Sequence, residues 1–309
     1  KRRLSEEQRR VLWGIFDAVR GMLAAKGALT EAGMFARLTA HFSGDARGPY
    51  DYIIVDEAQD IGVPQLRFLA ALGAGSPEAL FFAGDLGQRI FQPPFSWKGL
   101  GVDVRGRSRT LRINYRTSHQ IRRHADRLLP PEVSDVDGNT EDRRGTVSVF
   151  NGPDPEVRVF DDAKAESAAV GAWLKALGDE GFQPHEVAVF VRSAAEMVRA
   201  KRAAKAAEIK AVELDESVVV KSGHVSLGTM HLAKGLEFRA VAVMACDDEV
   251  IPLQSRIASV GDSADLEEVY NTERHLLYVA CTRARDRLLV TGVDPASEFL
   301  DDLREDEEG

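Results

Sequence analysis

The sequence predicts an α/β protein built on mostly parallel sheets and divided into two domains. Short apolar runs such as Tyr52-Ile53-Ile54-Val55 carry β-favouring side chains without polar alternation, as strands covered on both faces do. Stretches of helical periodicity separate these runs, and that alternation is the mark of parallel strands joined by crossover helices. The length, 309 residues, exceeds that of most single domains and suits two cores.

Ser5 to Lys26 and Thr30 to Phe42 hold apolar residues at helical spacing behind the capping residues Ser5 and Thr30, and predict an opening helical pair. After the Tyr52 strand, a helix over Val63 to Leu72 leads into a second buried strand, Ala79 to Ala83, closed by Gly84-Asp85. A loop rich in proline and aromatics, Phe91 to Trp97, is a natural boundary. Arg109 to Asn114 reads as a strand and Thr117 to Leu129 as a helix, followed by turn formers from Pro130 to Gly145. Strands are then predicted at Thr146 to Phe150, Val187 to Val191, Val225 to Thr229 and Ala240 to Ala245, with helices at Ala163 to Glu180 and Ala194 to Glu208. A helix over Leu266 to Ala284 and a strand over Arg287 to Thr291 precede an acidic end expected to be disordered and solvated: Asp301, Asp302, Glu305, Asp306, Glu307 and Glu308.

A hydrophobic fraction of 44% and a charged fraction of 29% are those of a soluble globular protein, and no apolar run approaches a bilayer-spanning length. With Lys1-Arg2-Arg3 running into an amphipathic helix rather than an apolar segment, no signal peptide is expected, and the chain is expected in the cytoplasm with no membrane partner. Cys246 and Cys281 lie among apolar residues and read as buried reduced thiols. The net charge of -9 argues against non-specific nucleic-acid binding, yet eight arginines lie between Arg105 and Arg127 against one acid, Asp126. That stretch is equally an exposed helix face with a basic loop and a phosphate-facing surface.

Strands of parallel sheets present ligands at their carboxyl ends, and there stand Asp56-Glu57-Ala58-Gln59-Asp60. Adjacent acids suit nucleotide hydrolysis, where one carboxylate holds Mg²⁺ through water and the next polarises the attacking water. A bare Asp-Glu pair is by itself no more than a solvated acidic turn. Four further blocks follow in order: Gly84-Asp85-Leu86-Gly87-Gln88-Arg89-Ile90-Phe91, Leu111 to Ser118 around Asn114-Tyr115-Arg116, Thr229 to Phe238, and Glu273 to Ala284. Together the five blocks resemble the motifs of the UvrD/Rep group of superfamily 1 DNA helicases, over residues 50 to 291.

That resemblance implies RecA-like motor domains: residues 1–105 as a partial first one, 106–293 as a complete second one without a large accessory insert, and 294–309 as the acidic tail. It implies ATP and Mg²⁺ as cofactors, with Asp56 on the metal, Glu57 on the water, Gln88 sensing the γ-phosphate, and Arg116 and Arg283 neutralising its charge, the latter as an arginine finger. Tyr115 would stack on the adenine and Glu237 would contact the nucleotide sugar. Thr229, His231, Trp97 and Phe91 would lie on the nucleic-acid side. Apart from the motifs each residue has a plainer role: Arg283 pairing with Glu273 or Asp286 at the surface, Tyr278 as a core aromatic, His231 as a satisfied structural histidine, Phe91 as core. Trp97-Lys98-Gly99 departs from the family pattern, with lysine for arginine and Gln92-Pro93-Pro94-Phe95 placed before it.

The implied function is ATP-driven movement on single-stranded DNA by a monomeric 3′-to-5′ motor, with a repair or transcription protein among the partners it allows. No Gly-Lys dipeptide occurs, so the phosphate-cradling loop is missing and this chain alone is expected to bind ATP poorly, as part of a longer active protein. The alternatives are a non-enzymatic module that binds DNA or protein through the arginine-rich stretch, and a helicase-like remodeller of RNA polymerase or a recombination complex.

Overall fold

The computed structural model describes residues 5–43, 48–76, 78–90, 95–142, 145–261 and 263–304. Phe91 and the acids from Glu305 to Glu308 lie outside the described residues. The chain forms two compact units, Lys1–Arg109 with Ser134–Thr140, and Thr110–Val133 with Glu141–Gly309.

The first unit opens with α1 (Glu6–Ala25) and α2 (Glu31–Phe42). Both caps expected from sequence are made: Ser5 and Gln8 exchange side-chain bonds with each other's backbone N–H, and Thr30 Oγ1 accepts from Gly33 N at 3.0 Å. No residue of α1 is buried. β1 (Ile53–Val55), α3 (Val63–Leu72) and β2 (Leu80–Phe82) follow, with β1 and β2 parallel and Ile54 opposite Phe81. Phe35 and Phe42 of α2 meet Phe68 of α3 at 5.6 and 6.1 Å between ring centroids. The expectation of a strand buried on both faces fails here: Tyr52, Ile54 and Phe81 are 76%, 77% and 63% exposed. Among the described residues β1 pairs with β2 alone, and the face formed by Ile54 and Phe81 has nothing laid over it.

The second unit begins with β3 (Ile113–Asn114) and α4 (His119–Asp126). A two-stranded ribbon, β4 (Glu132–Ser134) with β5 (Thr140–Asp142), carries a tip that belongs to the first unit. The sequence marked this stretch only as turn formers. β6 (Val147–Ser148) pairs with β3 outside the main sheet. Then come β7 (Glu156–Phe160), α5 (Ala163–Asp179), β8 (Val187–Val191), α6 (Met197–Ala206), β9 (Ala211–Glu213), β10 (Val225–Thr229), β11 (Phe238–Val243), α7 (Gln254–Ala258), α8 (Ser263–Cys281), β12 (Ala284–Val293) and α9 (Phe299–Leu303).

Six strands form one all-parallel sheet in the order β7-β12-β11-β8-β10-β9, as the alternation predicted. Every residue of β8, Val-Ala-Val-Phe-Val, is buried, which requires cover on both faces. Val189, Leu227, Ala242 and Leu289 join Val170, Leu174 and Leu177 of α5 and Ala200 and Ala203 of α6 in one core. α8 packs against β11 and β12, and α4 against β12. The last segment is a correction to the disordered tail. Phe299, Leu300 and Leu303 of α9 are buried, His124 Nδ1 donates to Leu303 O at 2.7 Å, and Arg274 pairs with Asp302. The acids conceal an apolar set at positions one and four apart, which docks the helix while Asp301 stays in water.

Candidate functional site

The candidate residues fall into one group in each unit. In the first unit β1 and β2 end side by side, and Ala58 N donates to Ala83 O at 2.8 Å just beyond them. Asp56 and Glu57 are exposed, and Asp56 Oδ1 accepts from Glu57 N at 2.9 Å. Glu57 adopts φ 52°, ψ 41°, a left-handed conformation that costs a non-glycine residue about 1–3 kcal/mol. The turn is held by Gln59, a residue to which the sequence gave no separate role. Its Nε2 donates to Glu57, its Oε1 accepts from Asp85 N at 3.0 Å, and it is 7% exposed. Asp85 then accepts from Gly87 N and from Gln88 Nε2, both at 2.8 Å. Asp56, Glu57 and Gln88 are thus fixed through one chain of side chains. Gly84 is required there, since a Cβ would stand 2.6 Å from Gln59 Oε1.

Asp56 presents an exposed carboxylate beside exposed Glu57, and among the described residues no group of three His, Cys, Asp or Glu is arranged to hold a metal. This donor set fits Mg²⁺, which is commonly held by one or two carboxylates with water and phosphate oxygens supplying the rest. Trp97 sits half-buried, edge-on to Phe82 at 4.9 Å between centroids. The ribbon tip fixes its turn: Ser96 Oγ donates to Asp137 at 2.5 Å, and Lys98 N donates to the same carboxylate at 3.0 Å. These bonds, that from Ser96 first, hold the Asp137 carboxyl below its ordinary range.

In the second unit parallel strands give the sheet two distinct ends. Thr229 closes β10 at the carboxyl end, and half-buried His231 follows it. Residues 230–237 then carry the chain to the amino end of β11, turning at Gly235 with φ +77°. At that amino end Arg116 Nε donates to Glu237 Oε2 at 3.1 Å, both side chains 48% exposed. Asn114 shapes the turn before it, accepting from Arg116 N at 2.9 Å, and leaves Tyr115 71% exposed. Arg283, just before β12, is 1% exposed. Its Nε donates to Val279 O at 3.0 Å, Nη1 to Leu236 O at 3.4 Å and Nη2 to Thr282 Oγ1 at 3.3 Å. Its guanidinium is buried and not at the surface, and Glu273 and Asp286 engage Arg192 and Arg239. Tyr278, 2% exposed, is a core residue as expected.

Glu273, offered by the sequence only as a surface partner for Arg283, has a different place in the structure. It is fully buried on α8, receives Arg192 Nε and Nη2 at 2.6 Å each, and receives Arg256 Nη1 at 2.8 Å. Burial raises its pKa, but the two arginines outweigh that and hold the carboxyl below its usual range. Burial first, and then Arg192 and Arg256, lower the pKa of His231, with Glu273 opposing. A companion network, Arg199 between Glu166 and Asp247, holds α5, α6 and the end of β11 together. Cys246 and Cys281 are free and buried, with burial pushing the Cys281 thiol up to about 12. No helix among the described residues is long and apolar enough to cross a membrane.

Residues 204–294 match the UvrD-like helicase C-terminal domain. ATP-dependent DNA helicase UvrD1 of Mycobacterium leprae is 40% identical over 93 residues, 26% of this chain and 11% of that protein. Putative ATP-dependent DNA helicase YjcD of Bacillus subtilis is 46% identical over 69 residues, 22% of this chain and 9% of that protein. For PcrA of Staphylococcus aureus the identity is 43% over 67 residues, 22% and 8% of the two chains. The carboxy-terminal domain of a possible DNA helicase from Lactobacillus plantarum WCFS1 superposes with a TM-score of 0.43 at 24% identity, covering 62% of this chain and 95% of that one. The matched segment spans about a tenth of the length of the curated relatives. It contains the Thr229 to Glu237 crossing, α8 and Arg283, and this part of the chain is accordingly similar to the carboxy-terminal domain of UvrD-like DNA helicases.

Proposed function

We propose that the intact protein is an ATP-dependent motor that moves on single-stranded DNA with 3′-to-5′ polarity, and that this portion alone hydrolyses ATP negligibly. Asp56 takes the Mg²⁺ ion, Glu57 orients or deprotonates the attacking water, and Gln88 reports the γ-phosphate. Arg116 and Arg283 neutralise charge in the transition state, Tyr115 stacks on adenine, and Glu237 contacts the sugar. Thr229, His231, Trp97 and Phe91 contact the nucleic acid. We extend the same proposal to two motor domains, 1–105 and 106–293, and to a monomer acting in the cytoplasm with a repair or transcription partner.

The observation that carries this reading is the division of labour along one stretch of chain. Residues 229–237 begin with Thr229 and His231 at one end of the sheet and finish with Glu237, bound to Arg116, at the other. A shift at either end is transmitted through eight residues and the helix packed on them, as a motor that couples DNA to nucleotide requires. The arginine-rich stretch weakens the module reading, because five of its eight arginines, at 105, 107, 116, 122 and 123, already pair with acids.

The test is ATP turnover by the intact protein with and without oligo(dT). Turnover should rise with oligo(dT), fall on the order of 10²-fold or more in Glu57→Gln and on the order of 10³-fold in Arg283→Ala. Unchanged stimulated turnover in both variants would sink the proposal.

A further inference from the structure

Glu273 is neutralised by one guanidinium, that of Arg192, in a bidentate pair closed to solvent at 4% and 0% side-chain exposure. A fully buried carboxylate gains most of what it needs from such a fork. Yet a second arginine, Arg256, reaches the same carboxylate from α7 at 2.8 Å with its side chain 38% exposed. Among the described residues this single bond is the whole of its guanidinium's pairing, out of five N–H donors. Two arginines against one acid leave an excess positive charge. His231, kept neutral by burial and by these arginines, adds nothing to it and takes nothing away.

The place of this charge is set by the sheet. Arg192 follows the carboxyl end of β8 and His231 follows the carboxyl end of the neighbouring strand β10, so both stand at the same end. α8 packs on residues 230–233 and on α7, which brings Glu273 and Arg256 there too. An exposed guanidinium, aligned by a buried carboxylate and short of anions, is a phosphate-binding group in waiting.

We propose that Arg256 is a backbone-phosphate contact for single-stranded nucleic acid, with Glu273 and Arg192 as the buried footing that positions it beside Thr229 and His231. The inference rests on the reading of Thr229 and His231 as nucleic-acid contacts. It adds a cation from a different element, α7, and it accounts for a buried ion pair that a purely structural role would complete with one arginine. The contact is with phosphate and not with a base, so it carries no sequence preference.

The experiment is oligo(dT) binding by the intact protein, followed by fluorescence anisotropy across a series of salt concentrations. Arg256→Ala should weaken binding by roughly 5- to 10-fold at low salt and reduce the slope of log K against log salt by about 0.7, the value for one phosphate contact on a single strand. Arg256→Lys should restore the slope, because a point charge suffices to release the counterion. Thermal unfolding of both variants shows that each is folded. Wild-type protein that binds oligo(dT) while Arg256→Ala keeps its slope overturns this inference alone. Loss of binding to a fluorescent ATP analogue with an intact oligo(dT) slope also overturns it, by moving the phosphate to the nucleotide. Wild-type protein that does not bind oligo(dT) overturns the functional reading and this inference with it.

Discussion

Gln59 binds Glu57 and Asp85 at once, its N–H donating to the carboxylate and its carbonyl oxygen accepting from the Asp85 N–H at 3.0 Å. A single amide thereby sets the distance between the acid at the end of β1 and the loop that carries Gln88. Gln59→Leu has the right size and neither bond. It should leave the Asp85 N–H unsatisfied, lower stability by about 1–3 kcal/mol, and cut stimulated turnover on the order of 10- to 100-fold by letting Glu57 drift. Urea unfolding and steady-state kinetics on the intact protein measure the two effects. Full turnover in a destabilised variant would show that Gln59 holds the fold without positioning Glu57.

Gly84 faces the other side of the same amide. A Cβ there stands 2.6 Å from Gln59 Oε1 and 3.2 Å from Ala58 N, and Gln59 is buried, so the clash cannot be relieved by swinging into water. Gly84→Ala is expected to cost about 1–3 kcal/mol of stability, read as a lower urea midpoint with an unchanged slope. A neutral result would mean that Gln59 moves freely, against the geometry.

How much of this was legible in the sequence depends on whether the information was local. Val187 to Val191 was readable as a buried parallel strand, because full burial on both faces favours an uninterrupted apolar run and it has one, whereas Val225 to Thr229 is interrupted by Ser226, Gly228 and Thr229. Ile53 to Val55 has the same composition but one covered partner, and no sequence pattern reports what lies over a strand. β7, Glu-Val-Arg-Val-Phe, alternates as an edge strand does and so forms no apolar run. Among the site residues Asp56, Glu57, Arg116 and Glu237 could be named from their motifs. Gln59 and Glu273 could not be given roles, because each acts through partners 26 and 81 residues away. Arg283 could be named from its motif as well, but the carbonyls of Val279 and Leu236 that receive its guanidinium could not.

Arg116 and Glu237 form an ion pair with both side chains nearly half exposed, so its contribution to stability is at most about 1 kcal/mol. Glu237→Gln should therefore leave the thermal midpoint almost unchanged. If Glu237 contacts the nucleotide sugar, the variant should lose discrimination between ATP and 2′-deoxy-ATP, seen as converging KM values under oligo(dT) stimulation. A large fall in the midpoint with discrimination intact would assign the residue to the fold instead.

Glu166 is fully buried and accepts from Ala245 N at 2.8 Å, from Thr291 Oγ1 at 2.7 Å and from the Arg199 guanidinium. Replacing it by alanine leaves a guanidinium at 10% side-chain exposure with only Asp247 for its charge. The expected loss is about 3–5 kcal/mol, since removing one partner of a buried pair strands the other. Arg199→Met together with Glu166→Leu should recover part of that loss, measured by urea unfolding. A double variant less stable than either single one would contradict this account of the network.

Acid should loosen the second unit through buried His124 and half-buried His231. His124, 4% exposed, donates Nδ1–H to Leu303 O at 2.7 Å, and burial holds its pKa below the ordinary 6.5, with Arg127 and Arg123 acting in the same direction. His231 is lowered from the same value, by burial first and by Arg192 next. A histidine with a depressed native pKa binds fewer protons folded than unfolded. The stability it contributes is complete above 6.5, the unfolded value, and is lost as the pH falls through the native one. The urea midpoint should therefore hold between about pH 7 and pH 8 and decline below about pH 6.5. His124→Asn, which keeps a donor and removes the titration, should flatten part of that decline. A midpoint that rises on acidification, or a decline untouched by the variant, would show that carboxylates and not His124 govern the docking of α9.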